Sequence, residues 1–445
     1  AILSVVLLDI VVSISIHSFR MAVGSAVGAA TLALVLFTTG FIMGTLRGSV
    51  DVAEAVAKMP GMPGPRHVRD GSSGSTPEIC AQYEELGLYR QAEKDFKRYA
   101  SGLSAEQAAK YASFCDVEAR NACATVRIRG GHVFVRHLYP GYQSRLSSTL
   151  QAINDVVKRF GPLPDAEIVV EVTDGDFNRV DLPVFMIARP RSAHVGVLYP
   201  DFTFYSWPEA VCPPERSHAY SYLYGLFSEA AASADEELQE TWQAKHDVLF
   251  WRGGKLAQPL RAQQVEALMG VPGVDVKFME WKNNSITGLN GAPGCVGLME
   301  HCDYRYLAFL NGNSYSSRFK YELLCGSCVF AGKQAWMEWW SDLMKPGEDF
   351  VELRSDWKDA SEQLLEVRAR PDGGRSIAES GRRKALALLS QDAVDCYWLR
   401  LLSLAATFLP APADELPTSA KPLEDVLLYA DNVVITEGAV YGPVR

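Results

Sequence analysis

His301 to Phe330 reads HCDYRYLAFLNGNSYSSRFKYELLCGSCVF. An apolar run from Tyr304 ends in Asn311-Gly312-Asn313, a serine-rich turn follows, and Ser316, Ser317, Arg318 and Lys320 open a helix that runs to Leu324. The segment CVFAG then resumes as a strand at Cys328. A strand, a helix and a second strand at this spacing form the repeating unit of an α/β fold with a parallel sheet. Spare N–H donors at a helix start, with hydroxyls and two cations beside them, also make the stretch a candidate anion site. It lacks the glycine-lysine pattern of a P-loop.

The same grammar extends on both sides. Further strands are expected at HVFVRH from His132, EIVVEV from Glu167, HVGVLY from His194, DVLFWRG from Asp247, VDVKFME from Val274 and DFVELR from Asp349. Helices are expected at Ser147 to Phe160, Leu260 to Met269 and Trp357 to Val367, with one long helical end from Ser376 to Phe408. Together these imply two parallel sheets, covered on both faces, that meet near Glu237 to Asp247. Ahead of them, Tyr83, Leu86, Leu88, Phe96 and Tyr99 fall at helical spacings, and SAEQ, Ser104 to Gln107, is a capping box.

With 445 residues and a net charge of -10, the chain is long enough for two folded domains and lacks the basic excess of a nucleic-acid binder. A phosphate-bearing ligand therefore needs a local basic pocket. Met21 to Leu46 holds no charge. At about 1.5 Å per residue it outspans a hydrocarbon core of about 30 Å, so it reads as a transmembrane helix. Ile2 to Ile16 is shorter and carries Asp9, and the chain starts at Ala1, so that run reads as the remainder of a cut span. His17 and Arg20 place the short loop between them in the cytoplasm and the remainder in a lumen. Ser49 to Thr76, dense in Pro, Gly and Ser, reads as a flexible stem. Of nine cysteines, Cys325 and Cys328 form a lone CxxC with no second pair at zinc-site spacing.

Two more strand ends invite chemistry. In LFWRGG, Arg252 can bind a phosphate bidentately while Gly253 and Gly254 let backbone N–H groups approach it. In EIVVEVTDGDFN, Asp174 and Asp176 follow an apolar strand, and such aspartates serve as metal ligands, as a general base, or as turn formers.

From about Arg127 to Phe408 the residues resemble glycosyltransferase family 90, the capsule-associated and protein O-glucosyltransferase family. HCDYRYLAFLNGNSYSSRFKYELLCGS follows, in order, its His-Cys-x-Tyr-Lys-Tyr, Gly-x-x-x-Ser-x-Arg-Phe-Lys and Leu-Cys-Gly-Ser signatures, and FWRGG, YPDFTFYSWPE and LMKPGEDFVELRSD support the match. The resemblance implies a GT-B-like α/β fold, two Rossmann-like domains with a cleft between them. It implies inverting, metal-independent transfer of glucose or xylose from UDP-glucose or UDP-xylose to a protein or glycan hydroxyl, with no further cofactor. It places the general base on Asp174 and diphosphate neutralisation on Arg318. The donor loop falls on Arg252, Gly253 and Gly254, phosphate contacts on Ser316 and Ser317, and a further donor-loop arginine loosely on Arg261. It also implies a Cys302–Cys325 disulfide. The expected organisation is a membrane anchor over 1–48, a stem over 49–77, and a helical lead-in with the acceptor-side domain over 78–245. The donor domain follows over 246–410, and a tail over 411–445. The expected location is the Golgi or endoplasmic reticulum membrane with the catalytic part lumenal. The competing expectations are a metal-dependent GT-A transferase using Asp174 and Asp176, and a catalytically silent, membrane-tethered binding protein on the same fold.

Overall fold

Strand β1, Cys123–Arg129, and β2, His132–Arg136, are joined by Gly130-Gly131, whose φ values of 55° and 80° meet the positive-φ demand of a tight hairpin turn. The computed structural model that shows this describes residues 77–117, 122–136, 143–174, 181–207, 210, 212, 219–236, 238–255, 259–279, 295–412, 415–430, 434–436 and 439–441. Met21 to Leu46, Ile2 to Ile16, the stem up to Thr76, and Asp176 lie outside them. No helix among the described residues is long and apolar enough to cross a membrane.

The first sheet continues with β3, Ala166–Glu171, β4, Phe185–Met186, and β6, Val197–Leu198, in the order β2-β1-β3-β4-β6, while β5, Arg189–Pro190, stands apart from it. The expectation of two parallel sheets is corrected here. β1 runs antiparallel to both β2 and β3, and only β3-β4-β6 are parallel. CATVRIR is not among the strands expected from sequence, and its Arg127 interrupts the apolar run. In the fold that guanidinium is buried against Glu167 at 2.5 Å, so the strand tolerates it.

The second sheet is wholly parallel. It holds β7, His246–Gly254, β8, Val274–Met279, β9, Tyr304–Phe309, β10, Cys328–Gly332, and β12, Val351–Leu353, in the order β12-β10-β9-β7-β8. The short strand β11, Trp336–Met337, pairs with β5 instead. Alternation sends Leu249, Trp251, Tyr306, Ala308 and Phe330 to one apolar layer and Phe250, Leu307, Phe309, Val329 and Ala331 to the other, as a parallel sheet covered on both faces requires. The chain leaves β7 for β8 on one side and returns to β9 on the other. The crevice at the carboxyl ends of β7 and β9 is therefore a topological switch point, where open α/β sheets bind ligands.

The second of those layers merges with the core of the first sheet, and contacts hold Asp70–Arg445 together as one compact unit. Helix Gln391–Phe408 does much of the joining, packing Trp398 beside Phe185 and Tyr199 while Cys396 is bonded to Cys80. The expected single helix from Ser376 to Phe408 is two, Arg375–Leu388 and Gln391–Phe408, because the Ser390 hydroxyl accepts from the Ala393 N–H and starts a new helix. The capping box at Ser104 and Gln107 is formed as expected. Tyr83, Leu88, Phe96 and Tyr99 are buried, whereas Leu86 is exposed. The segment expected to trail away instead returns as β13, Lys421–Pro422, which pairs with β2 at the sheet edge.

Candidate active site

At the switch point, β7 ends in Arg252-Gly253-Gly254 and β9 runs on into Leu310-Asn311-Gly312. Helix Pro259–Leu268 brings Arg261 between them, buried, where its guanidinium donates to the carbonyls of Asn311, Gly254 and Leu310 at 2.7, 3.1 and 3.2 Å. Arg261 thus ties the two strand ends together. Arg318 arrives from the turn after β9 and donates to the carbonyl of Arg252. Both guanidinium carbons face the Trp251 ring, at 5.6 Å for Arg261 and 5.7 Å for Arg318.

Two cations held this close in a partly dry crevice are costly to keep charged. Burial, reinforced by Arg318, pulls Arg261 down to about 9, and burial lowers Arg318 as well. Beneath them lies the buried Glu322, whose carboxyl is pushed up to about 8 by burial against the opposing pull of both arginines. The crevice is therefore short of negative charge, and an anion bound there would relieve both arginines. Gly253 is required by the same crowding. A Cβ on it would lie 2.3 Å from the Trp251 ring and 2.9 Å from Arg318 Nη2.

The other residues named from sequence are placed less uniformly. Arg252 turns toward the neighbouring strand, where Nη2 meets Asp275 Oδ2 at 2.6 Å, so its side chain is engaged away from Arg318. Ser316 is half-buried in the turn. The Ser317 hydroxyl donates to Asp201 Oδ2 at 2.7 Å, as does the Tyr315 hydroxyl. Lys320 is fully buried, donating to Thr203 Oγ1 at 2.5 Å and facing Asp201 Oδ1 at 3.4 Å. The expected helix-start anion site is corrected accordingly. The helix is only Phe319–Leu324, and Ser317 and Lys320 serve Asp201, while Arg318 remains at the crevice.

Asp174 follows β3 by three residues and is held bidentately by Arg145, at 2.8 Å between Nη1 and Oδ1 and 3.2 Å between Nη2 and Oδ2. Arg145 also lies over the Phe202 ring at 5.0 Å. Beside this pair Glu171 is buried and accepts from the Thr173 N–H at 2.6 Å, and burial pushes its carboxyl up to about 8. Tyr315, in the turn after β9, feels the charges of the first sheet's site. Burial, with the charges of Asp201, Glu338 and Asp174, raises its hydroxyl well above the ordinary value, and Arg145 opposes them. His301 is buried nearby with Nδ1 against the Gly297 carbonyl at 2.8 Å. Burial and the Arg318 charge push it down to about 3, so its ring is neutral.

The disulfide Cys302–Cys325 is present, with Cα atoms 4.7 Å apart, and Cys80–Cys396, Cys115–Cys123 and Cys212–Cys295 accompany it. The remaining thiol, Cys328, is buried and pushed up to about 12 by that burial. No cluster of three or more His, Cys, Asp or Glu suited to a metal occurs among the described residues. Trp251, Asp201, Arg145 and Glu322 were not singled out from sequence. Glu322, four residues after Arg318, leaves a sequence signal as an opposite charge at helical spacing, and Trp251 and Asp201 lie within FWRGG and YPDFTFYSWPE.

The family model for Glycosyl transferase family 90 matches residues 76–422. Protein O-glucosyltransferase 1 of Homo sapiens is 30% identical over 275 residues, covering 60% of this chain and 68% of that protein, and the Rattus norvegicus protein matches to the same extent. O-glucosyltransferase rumi of Drosophila melanogaster is 24% identical over 279 residues, covering 60% of this chain and 64% of that protein. Among solved structures, Anabaena Alr3699/HepE in complex with UDP-glucose is 11% identical with a TM-score of 0.25, covering 37% of this chain and 50% of that one. The chain thus spans half of that structure's length, and a likeness so slight carries no argument. With most of its length matched by the family model, the chain belongs to glycosyl transferase family 90 and is a glycosyltransferase.

Proposed function

We propose that the protein transfers glucose or xylose from a UDP-sugar to a hydroxyl of a protein or glycan, with inversion and without a metal. The observation that carries this reading is the convergence of Arg261 and Arg318 on Trp251 at the switch point of the parallel sheet. UDP leaves with charge growing on its diphosphate, and preorganised cations in a partly dry crevice are suited to stabilise that charge. Arg318 is the contact residue, with Gly253 leaving room for the Trp251 ring and Arg318, Gly254 holding Arg261 through its carbonyl, and Ser316 offering its backbone and hydroxyl from the turn. Arg261 fixes the strand ends, and Arg252 keeps the loop in place through Asp275.

Asp174 is the base. It draws the proton from the acceptor hydroxyl as that oxygen attacks the anomeric carbon opposite UDP, and the bond to the diphosphate oxygen breaks. Its pairing with Arg145 uses one lone pair on each carboxylate oxygen, which leaves others to accept the proton. Arg145 thereby orients the base.

A GT-B layout, with 78–245 forming the acceptor half and 246–410 the donor half, is supported by the two separate sheets and by the switch-point crevice on the second. The four disulfides support an oxidising compartment, in keeping with a lumenal catalytic part tethered to a Golgi or endoplasmic reticulum membrane by Met21 to Leu46. The protein O-glucosyltransferase relatives support a protein acceptor.

The test is an assay of UDP release over a panel of UDP-sugars, with acceptor peptides and glycans. Asp174→Asn is expected to lower turnover by about 10²–10⁴-fold with UDP affinity nearly intact. Arg318→Ala is expected to weaken UDP binding and lower turnover by about 10²–10³-fold. Unchanged turnover in Asp174→Asn removes the base assignment. Complete loss of activity in EDTA, restored by manganese, transfers Asp174 and Asp176 to a metal-binding role.

A further inference from the structure

A cavity of ≈ 390 Å³ opens at the amino ends of β7, β9 and β10, the opposite end of the second sheet from the arginine crevice. Phe227, Trp242 and Leu324 give it an apolar wall, and both halves of the Cys302–Cys325 disulfide line it. Cys302 is half-buried and Cys325 keeps 7% exposure, so a small molecule in the cavity reaches the bond. By contrast, Cys80–Cys396 and Cys115–Cys123 are buried at both ends, and Cys212, bonded to Cys295, is wholly buried.

The two half-cystines are 23 residues apart and enclose β9, the turn with Ser316 and Arg318, and the helix Phe319–Leu324. The bond thus fixes the two ends of the crevice-bearing segment to each other, while Tyr315, Ser317 and Lys320 fix its middle to Asp201. Opening the bond frees the ends without detaching the turn. Lys245 Nζ donates to the carbonyls of Cys302 and Cys325, at 3.1 Å for the latter, and lies 3.4 Å from Ser327 Oγ, which places an ammonium beside both half-cystines. Arg382 passes over Gly326, where a Cβ would lie 3.0 Å from its Cδ. The acidic groups on the lining are Asp303 and Glu379, and Glu379 is paired with Arg375 at 3.4 Å. Cations beside a sulfur stabilise the thiolate that leaves when such a bond is cut.

We propose that Cys302–Cys325 is a redox switch on the crevice, opened by a small thiol that enters this cavity. The thiolate attacks one sulfur, the S–S bond breaks, a mixed disulfide forms, and the other sulfur leaves as a thiolate that takes up a proton. A second thiol displaces the first from the mixed disulfide, so both cysteines are reduced and the reductant departs as its own disulfide. The segment bearing Arg318 then loosens and holds a diphosphate less tightly. The inference rests on the reading of Arg318 as the donor contact and adds a control on it.

The test equilibrates the full chain in buffers of rising reduced-to-oxidised dithiothreitol ratio. Differential alkylation with peptide mass reads each cysteine, and calorimetry reads UDP affinity. Cys302–Cys325 is expected to open at a lower ratio than the other three bonds, with circular dichroism retained. UDP affinity is then expected to fall about 5–150-fold, the span of a coupling between two sites. Because such coupling is reciprocal, saturating UDP is expected to raise the ratio that opens the bond by the same factor. Cys302→Ser/Cys325→Ser is expected to bind UDP like the reduced wild type and to ignore dithiothreitol at ratios that open this bond alone. Earlier opening of another bond overturns the proposal, as does circular dichroism lost in step with reduction. Both are read in the wild type, whatever the folding of the double variant. UDP affinity indifferent to the opened bond removes the switch and leaves the donor reading standing. Failure of the oxidised wild type to bind UDP overturns the donor reading and the control on it.

Discussion

Gly253 shows how closely the crevice is packed at the scale of a residue. A Cβ 2.3 Å from the Trp251 ring cannot be accommodated without movement, and Trp251 is the platform for both arginines. Gly253→Ala is therefore expected to cost about 1–3 kcal/mol of stability in urea titration and to weaken UDP binding at least as much as it weakens folding. Glu171 yields a pH prediction. Its carboxyl is held at about 8 in the folded chain by burial, against an ordinary value of 4.5. The raised value means that folding takes up a proton, so the stability it contributes is full below pH 4.5, declines as pH rises, and is gone above about pH 8. Urea titrations across that window should show stability falling with pH, and Glu171→Gln should flatten the slope by up to about 1.4 kcal/mol per pH unit. An unaltered slope would mean that Glu171 is ionised in the folded state.

Among the elements, the break between Arg375–Leu388 and Gln391–Phe408 decides how the chain closes on itself. Periodicity alone runs through Leu389, because helical patterns continue across a cap when the turn is short. The Ser390 side chain, accepting from the Ala393 N–H at 3.2 Å, supplies the stop and the new start. Ser390→Ala is expected to lower stability by about 0.5–2 kcal/mol, measured by thermal or urea unfolding, without changing UDP affinity. Strand β1 teaches the opposite lesson. Its two-glycine turn is a strong hairpin signal, but Arg127 interrupts the apolar run, and only its cross-strand partner Glu167 allows it to be buried.

At the scale of the whole molecule, Asp201 and Lys320 connect the two sheets. Asp201 follows β6 of the first sheet, and Lys320 belongs to the short helix after β9 of the second. Both side chains are fully buried, and Tyr315, Ser317 and Thr203 complete the carboxylate's partners. Lys320→Met leaves a buried carboxylate without its cation and is expected to cost about 3–5 kcal/mol. The double variant Asp201→Asn/Lys320→Met, which removes both charges, is expected to recover a large part of that loss in the same urea titrations. Additive losses would show that the pair does not act as a unit.

Sequence by itself determined the α/β class and the five strands that form the second sheet, and the resemblance to the family implied the Cys302–Cys325 bond that the fold contains. Each rests on local information: apolar runs of strand length, turn residues at their ends, and ordered signatures within one stretch. Only the tertiary structure decided which cations face the crevice. Arg252, Arg261, Arg318 and Lys320 look alike in sequence, yet Asp275 draws off Arg252, Asp201 takes Lys320, and three strand-end carbonyls hold Arg261. Those partners are distant in the chain, and a side chain's direction depends on which acceptor folding brings within about 3 Å of it. That is why the residue types were legible in the sequence while their division between structure and site was not.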